Sequence, residues 1–231
     1  MILYKLTDEN GMTGRGYVLS NWHPGVTPEQ LSGEGGLCGC GWYHAYEDPL
    51  IAVLHNPIHA NFSKPRCFRV RVRRKDVYAP DQMKCGFRTG RTLREIALPE
   101  VTTEQRVRYA IGCASIGCHD VAWIKWASSW LRDIDRSADA ARAAAYATYA
   151  ANAANAAAYF AYAANAAYAA RAAHAAAYFA YFADAADAAR AAHADHVGYA
   201  AAHAAVFKFD LLSVARWAMT DDMEFPEVAR P

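Results

Sequence analysis

Arg66, Arg69, Arg71, Arg73, Arg74 and Lys75 fall within ten consecutive residues, and Lys84, Arg88, Arg91 and Arg94 follow closely. A guanidinium presents paired N–H donors in a planar fork that fits phosphate oxygens, so such a run suits a nucleotide or a nucleic-acid backbone. Arg69, Arg71, Arg73, Arg88 and Arg91, together with Tyr43, are therefore the candidate ligand-binding residues for a phosphate-bearing small molecule or nucleotide. The same face suits equally well docking on carboxylates of the chain itself, such as Asp221, Asp222 and Glu224, or on a neighbouring subunit, or plain solvation.

His44 is the first candidate for acid-base chemistry. In "YHAYEDP" it stands beside Glu47 and Asp48, where a carboxylate can fix the imidazole tautomer and make it a general base. The plainer reading is a turn whose Asp48 caps a helix. Glu95 is the second candidate, and it matters only if the protein is an enzyme. Cys38, Cys40 and His44 in "CGCGWYH" could face one metal ion, but the spacing is not C-x2-C, and a glycine-rich turn explains it as well. His55 and His59 bracket "NPI", where Pro57 is expected to break any helix that would bring them together. His193 and His196 with Asp187 could bind a metal, but a polar helix surface explains them as well. Neither a metal nor a cofactor is expected.

These side chains need elements to hold them. "MILYKLT" and "GRGYVLSNW" read as strands, and "RTLREIALPE" supplies another. "CFRVRVRRKDVY" is the clearest, with Phe68, Val70 and Val72 on one face and Arg69, Arg71 and Arg73 on the other. "EDPLIAVLHN" predicts a short helix entered through Asp48 and Pro49.

Beyond Pro99 no proline appears before Pro226, and the period becomes helical. A β-rich domain over 1–100 and a helical domain over 101–231 follow. Thr102 and Gln105 form a capping box ahead of a stripe made by Val107, Ala110, Ile111 and Ala114. Asp120 opens a helix with Trp123, Trp126, Ala127 and Trp130 on one face, completing amphipathic helices over 101–134. Asp135 or Ser137 then caps an alanine- and tyrosine-rich region, 135–208, that repeats about every 19 residues. A helix end and acidic tail follow over 209–231.

At 100° per residue, a 19-residue shift rotates each aromatic cluster by roughly 100°, so one straight helix cannot keep them on one face. The array is expected to use aromatic rings as wedges, with Tyr159, Tyr162, Tyr178 and Tyr181 mediating self-association into a homo-oligomer. The fold class expected is α+β, a small mixed or antiparallel sheet domain followed by a helical array.

Net charge of +1 argues against a surface devoted wholly to nucleic acid or anionic membrane. No apolar run reaches the roughly 20 residues that span a bilayer, and "MILYKLTDENG" does not resemble a signal peptide, so a cytoplasmic protein without membrane contact is expected. The six cysteines are scattered and read as reduced thiols.

"GRGYVLSNWHPGV", "GWYHAYEDPL", "NPIHANF", "CFRVRVRRK" and "GRTLREIALPE" resemble a domain family of bacteriophage and prophage genomes whose members carry alanine-rich helical tails. The resemblance covers about the first 130 residues. It implies a phage-type accessory binding protein acting in the host cytoplasm on a ligand or a host protein, with an anti-defence role among the possibilities, and it brings no activity with it. A fainter likeness joins "GCGWYHAYEDPLIAVL" to the turn and helix of ADP-ribosyltransferases and RNA phosphotransferases. It implies a nucleotide-handling transferase with Glu95 as the catalytic acid, although Lys5, Tyr43 and His44 depart from the usual triads. A purely structural oligomerisation scaffold is the remaining alternative.

Overall fold

The computed structural model describes residues 1–15, 18–37, 39–79, 84–115, 120–144 and 210–222. The fold is α+β, in two compact units, Met1–Glu100 and Val101–Pro231. The alanine-rich repeats over 145–208, and with them Tyr159, Tyr162, Tyr178 and Tyr181, lie outside the described residues.

In the first unit, β1 (Ile2–Thr7), β5 (Arg66–Arg71) and β8 (Arg91–Ile96) form an antiparallel sheet with β5 in the centre. A second antiparallel sheet has the order β4 (Tyr43–Ala45), β7 (Cys85–Phe87), β6 (Val77–Tyr78). Strands β2 (Met12–Arg15) and β3 (Val18–Asn21) pair as a hairpin. The two larger sheets are tied where Tyr4 and Tyr46 exchange backbone hydrogen bonds of 2.8 and 2.9 Å.

Side chains of a strand alternate between faces, so β1 and β5 send Leu3, Phe68 and Val70 to one side. There they bury with Trp22, Tyr43, Val72 and Phe87. Trp22 is the hub, edge-on to Tyr43 at 5.1 Å and to Phe87 at 5.7 Å, with its indole N–H donating to Thr13 Oγ1 at 2.7 Å. Gly90 admits Val70 and Val72 against its backbone, for a Cβ there would lie 2.6 Å from Val72 Cγ1.

Helix α1 spans Pro49–His59, and Asp48 caps it by accepting from the Leu50 N–H at 2.8 Å. The expected break at Pro57 does not occur, because proline in the last turn removes one N–H and little helix remains to disturb. Asn56 closes that end, its side chain bonding both the N–H and the carbonyl of Phe62. His55 and His59 consequently meet edge to face, 5.4 Å apart.

In the second unit, α2 (Thr103–Ser115) begins with the reciprocal Thr102–Gln105 box: Gln105 N–H donates to Thr102 Oγ1, and Thr102 N–H to Gln105 Oε1. Helix α3 (Val121–Leu131) is capped by Asp120, which accepts from the Trp123 N–H at 2.8 Å, and buries Trp123, Trp126, Ala127 and Trp130. Ser137 Oγ caps the helical stretch 138–144, accepting from the Ala140 N–H, while Asp135 in turn accepts from Ser137. Helix α4 (Leu211–Ala218) packs on α2, where Gly112 lets Val214 and Trp217 come close. Among the described residues no helix is long and apolar enough to cross a membrane.

Candidate functional site

Two places in the first unit gather polar chemistry. The first is the face of the β1–β5–β8 sheet opposite Phe68 and Val70. Register sets Arg69 directly across from Arg94, and Arg71 across from Arg91. A β-bulge between these two pairs gives β8 one extra residue, Leu93, between Thr92 and Arg94, so Arg94 rather than Leu93 stands opposite Arg69. Directly opposed side chains start about 5 Å apart at Cβ, and like charges there cost roughly 0.2–1 kcal/mol per pair. None of the four guanidiniums forms an ion pair among the described residues. Arg69 is half-buried and its Nε–H is buried with no hydrogen-bond acceptor among them, whereas Arg71, Arg91 and Arg94 are exposed.

The other two arginines expected on this face are held elsewhere. Strand β5 stops at Arg71, and the chain turns through a 3-10 segment at Arg74–Asp76, so Arg73 leaves the strand and pairs with the buried Asp76 at 2.6 Å. Arg88 donates from Nε to the Leu31 carbonyl and lies over Gly33, bracing a loop. Arg94, not among the expected ligand residues, joins the face. Only the bulge puts it there, and a plain alternation count across β8 misses the bulge. Asp221 and Asp222 lie by Arg108 within the helical unit, where Arg108 Nη2 donates to the Asp222 carbonyl and its guanidinium sits over Trp217.

The second place is a cavity of about 300 Å³. Its wall includes Lys5 from β1, Tyr43 and His44 from β4, Tyr46, His59 from the end of α1, and Lys84. Lys5 alternates to the core side, where its Nζ donates to the His44 carbonyl at 2.8 Å and lies 5.1 Å from the Trp22 ring centroid. Burial pulls the Lys5 amine down to about 7, opposed by the Cys85 thiol and reinforced by Lys84. His44 Nε2 donates to the Leu37 carbonyl, which fixes its tautomer and ties down the glycine-rich loop. Tyr43 donates to the Glu29 carbonyl at 2.9 Å, so its hydroxyl is spent on loop structure.

Tyr46 and His59 form the cavity's other polar pair, stacked at 6.0 Å with Tyr46 Oη and His59 Nδ1 hydrogen bonded at 3.1 Å. Burial, aided by His55, holds His59 far below its ordinary value and so neutral. Burial also raises Tyr46, which stays a phenol.

Glu95 is not part of this cavity wall. It lies on β8 opposite Phe68, and Arg66 grips it with two bonds of 2.8 and 2.6 Å. The side-chain hydrogen bond from Arg66 keeps the Glu95 carboxyl below its usual range. His44 and Glu95, the two candidate catalytic residues, thus belong to different sheets and different partners. Cys40 is exposed at the cavity wall, while Cys38 lies outside the described residues. His55 and His59 gain no third metal-ligating neighbour among the described residues.

Sequence reasoning singled out Lys5 only as a departure from a triad. A lone lysine in an alternating strand reads as surface, and nothing in "YKLT" says that β4 and Trp22 close over it. Comparison of the chain with protein-family models, with curated proteins and with solved structures gave no match in any of the three.

Proposed function

We propose that the first unit is a binding module that captures a phosphate-bearing ligand, a small molecule or nucleotide, on the Arg69–Arg94 and Arg71–Arg91 pairs. The observation that carries this reading is the opposition of two arginine pairs with no ion-pair partner among the described residues. Two forks a cross-strand distance apart can converge on one phosphate, and a bound anion offsets the repulsion between them. Capture without turnover also agrees with the separation of His44 from Glu95. Within this reading the chain is a phage-type accessory factor of the cytoplasm, and the alanine-rich repeats mediate its self-association.

Isothermal titration of the full chain with ATP and with inorganic pyrophosphate tests it. Replacing Arg71→Glu and Arg91→Glu together should weaken binding by at least about a hundredfold, since each lost charge-assisted contact is worth roughly 1.5–3 kcal/mol. Arg73→Glu should change affinity by no more than about twofold, because Asp76 already holds that side chain. Unchanged binding in the double variant would sink the proposal.

A further inference from the structure

Among the described residues the cavity's charged lining has one sign only, beside the neutral polar groups of Thr13, Ser20 and Cys40. Lys5, Lys84, His44 and His59 line it, and no aspartate or glutamate among the described residues does. Its wall also carries the rings of Trp42, Tyr43, Tyr46 and Phe62 among aliphatic and small residues, and Trp42 is steadied by stacking on Tyr78 at 5.4 Å. A volume of about 300 Å³ equals roughly ten waters' share of liquid, room for one or two fused rings with a short acidic arm.

Lys5 is 6% exposed, yet its described neighbours offer no counter-charge: a backbone carbonyl from His44, the Trp22 ring, the Cys85 thiol and a second cation, Lys84. Removing an ammonium from water without an opposite charge is unfavourable, and an anion entering the cavity supplies that charge in surroundings where it is strongly felt. Tyr46 as a phenol and His59 as a neutral imidazole leave no anion among the described residues of the wall to compete for Lys5.

The geometry points to a binding site for a small aromatic acid, its carboxylate or phosphate held by Lys5 and Lys84 and its ring against Trp42, Tyr43 and Phe62. This site is separate from the arginine face and does not depend on it.

Titration calorimetry of the full chain with indole-3-acetate and with phenyl phosphate, using neutral indole-3-acetamide as the control, tests the inference. Both acids or one of them should bind at least about tenfold more tightly than the amide, the stronger naming the acidic group. With indole-3-acetate, whose carboxylate is ionised at both values, in two buffers of different ionisation enthalpy, binding at about pH 8.5 should take up a proton approaching one per site, and at about pH 6 almost none, because Lys5 is then already charged. Lys5→Met should lose the preference for acid over amide. Lys84→Ala, at a half-exposed position outside the core, should reduce it and serves if Lys5→Met fails to fold. Binding of the amide as tight as that of the acids, or no binding of any probe, overturns the assignment.

Discussion

Lys5 makes the stability of this protein depend on pH in a direction opposite to that of a paired lysine. Its folded value of about 7 lies below the ordinary 10.5, so between those values the unfolded chain binds the proton and the folded chain does not. Stability therefore rises with pH across that window, and the penalty is fully present below about 7. The shift corresponds to at most about 5 kcal/mol. The difference in unfolding free energy between wild type and Lys5→Met, measured by urea titration from pH 6 to 10, should move in favour of wild type as pH rises. A flat difference would mean that the amine is solvated.

Glu95 behaves the other way. Its depressed carboxyl contributes stability above the ordinary carboxylate range that is lost on acidification, so Glu95→Gln should matter least in acid. The side chain is largely exposed, and the effect should be small.

Among the elements, the helix signals were legible because capping is local chemistry. Asp48, Thr102 with Gln105, Asp120 and Ser137 each bond a backbone N–H within three residues. Asp120→Ala should cost about 1 kcal/mol by thermal melting. Strand β5 was legible from its alternation, but its end was not, since a 3-10 turn three residues long leaves almost no pattern and carries Arg73 away. The bulge in β8 and the helical path through Pro57 were hidden for a related reason: both arise from what the partner strand or the next loop can satisfy. The cavity was illegible altogether. Positions 5, 44, 59 and 84 meet only through chain closure, and no period links them.

Packing between elements gives a further check. A methyl group at Gly112 would lie 2.7 Å from Val214 Cγ1 and 3.1 Å from Trp217, so Gly112→Ala should destabilise the α2–α4 contact by about 1–3 kcal/mol. Alanine favours the helix itself, and an increase in stability would show that α4 yields.

At the level of the whole molecule, each unit has its own buried tryptophan, Trp22 in the first and Trp123 in the second, both nearly fully enclosed. Truncation to alanine at either should cost about 3–5 kcal/mol locally. Scanning calorimetry of Trp22→Ala and Trp123→Ala should therefore move two separable transitions, one per variant. If both variants lower a single shared transition, the units unfold as one body.

The bulge in β8 turns the arginine face into a gauge. On β5 the Arg69 and Arg71 positions stand about 6.7 Å apart, and the bulge in β8 adds twist, so the Arg71–Arg91 and Arg69–Arg94 pairs are set at successive steps of the sheet and rotated against each other. In the proposed capture, a ligand carrying one acidic group would meet one arginine pair at a time. Under the proposed capture, a molecule with two such groups, spaced and twisted to match, would engage both pairs, and the sheet would select for the length and hand of its ligand rather than for charge alone.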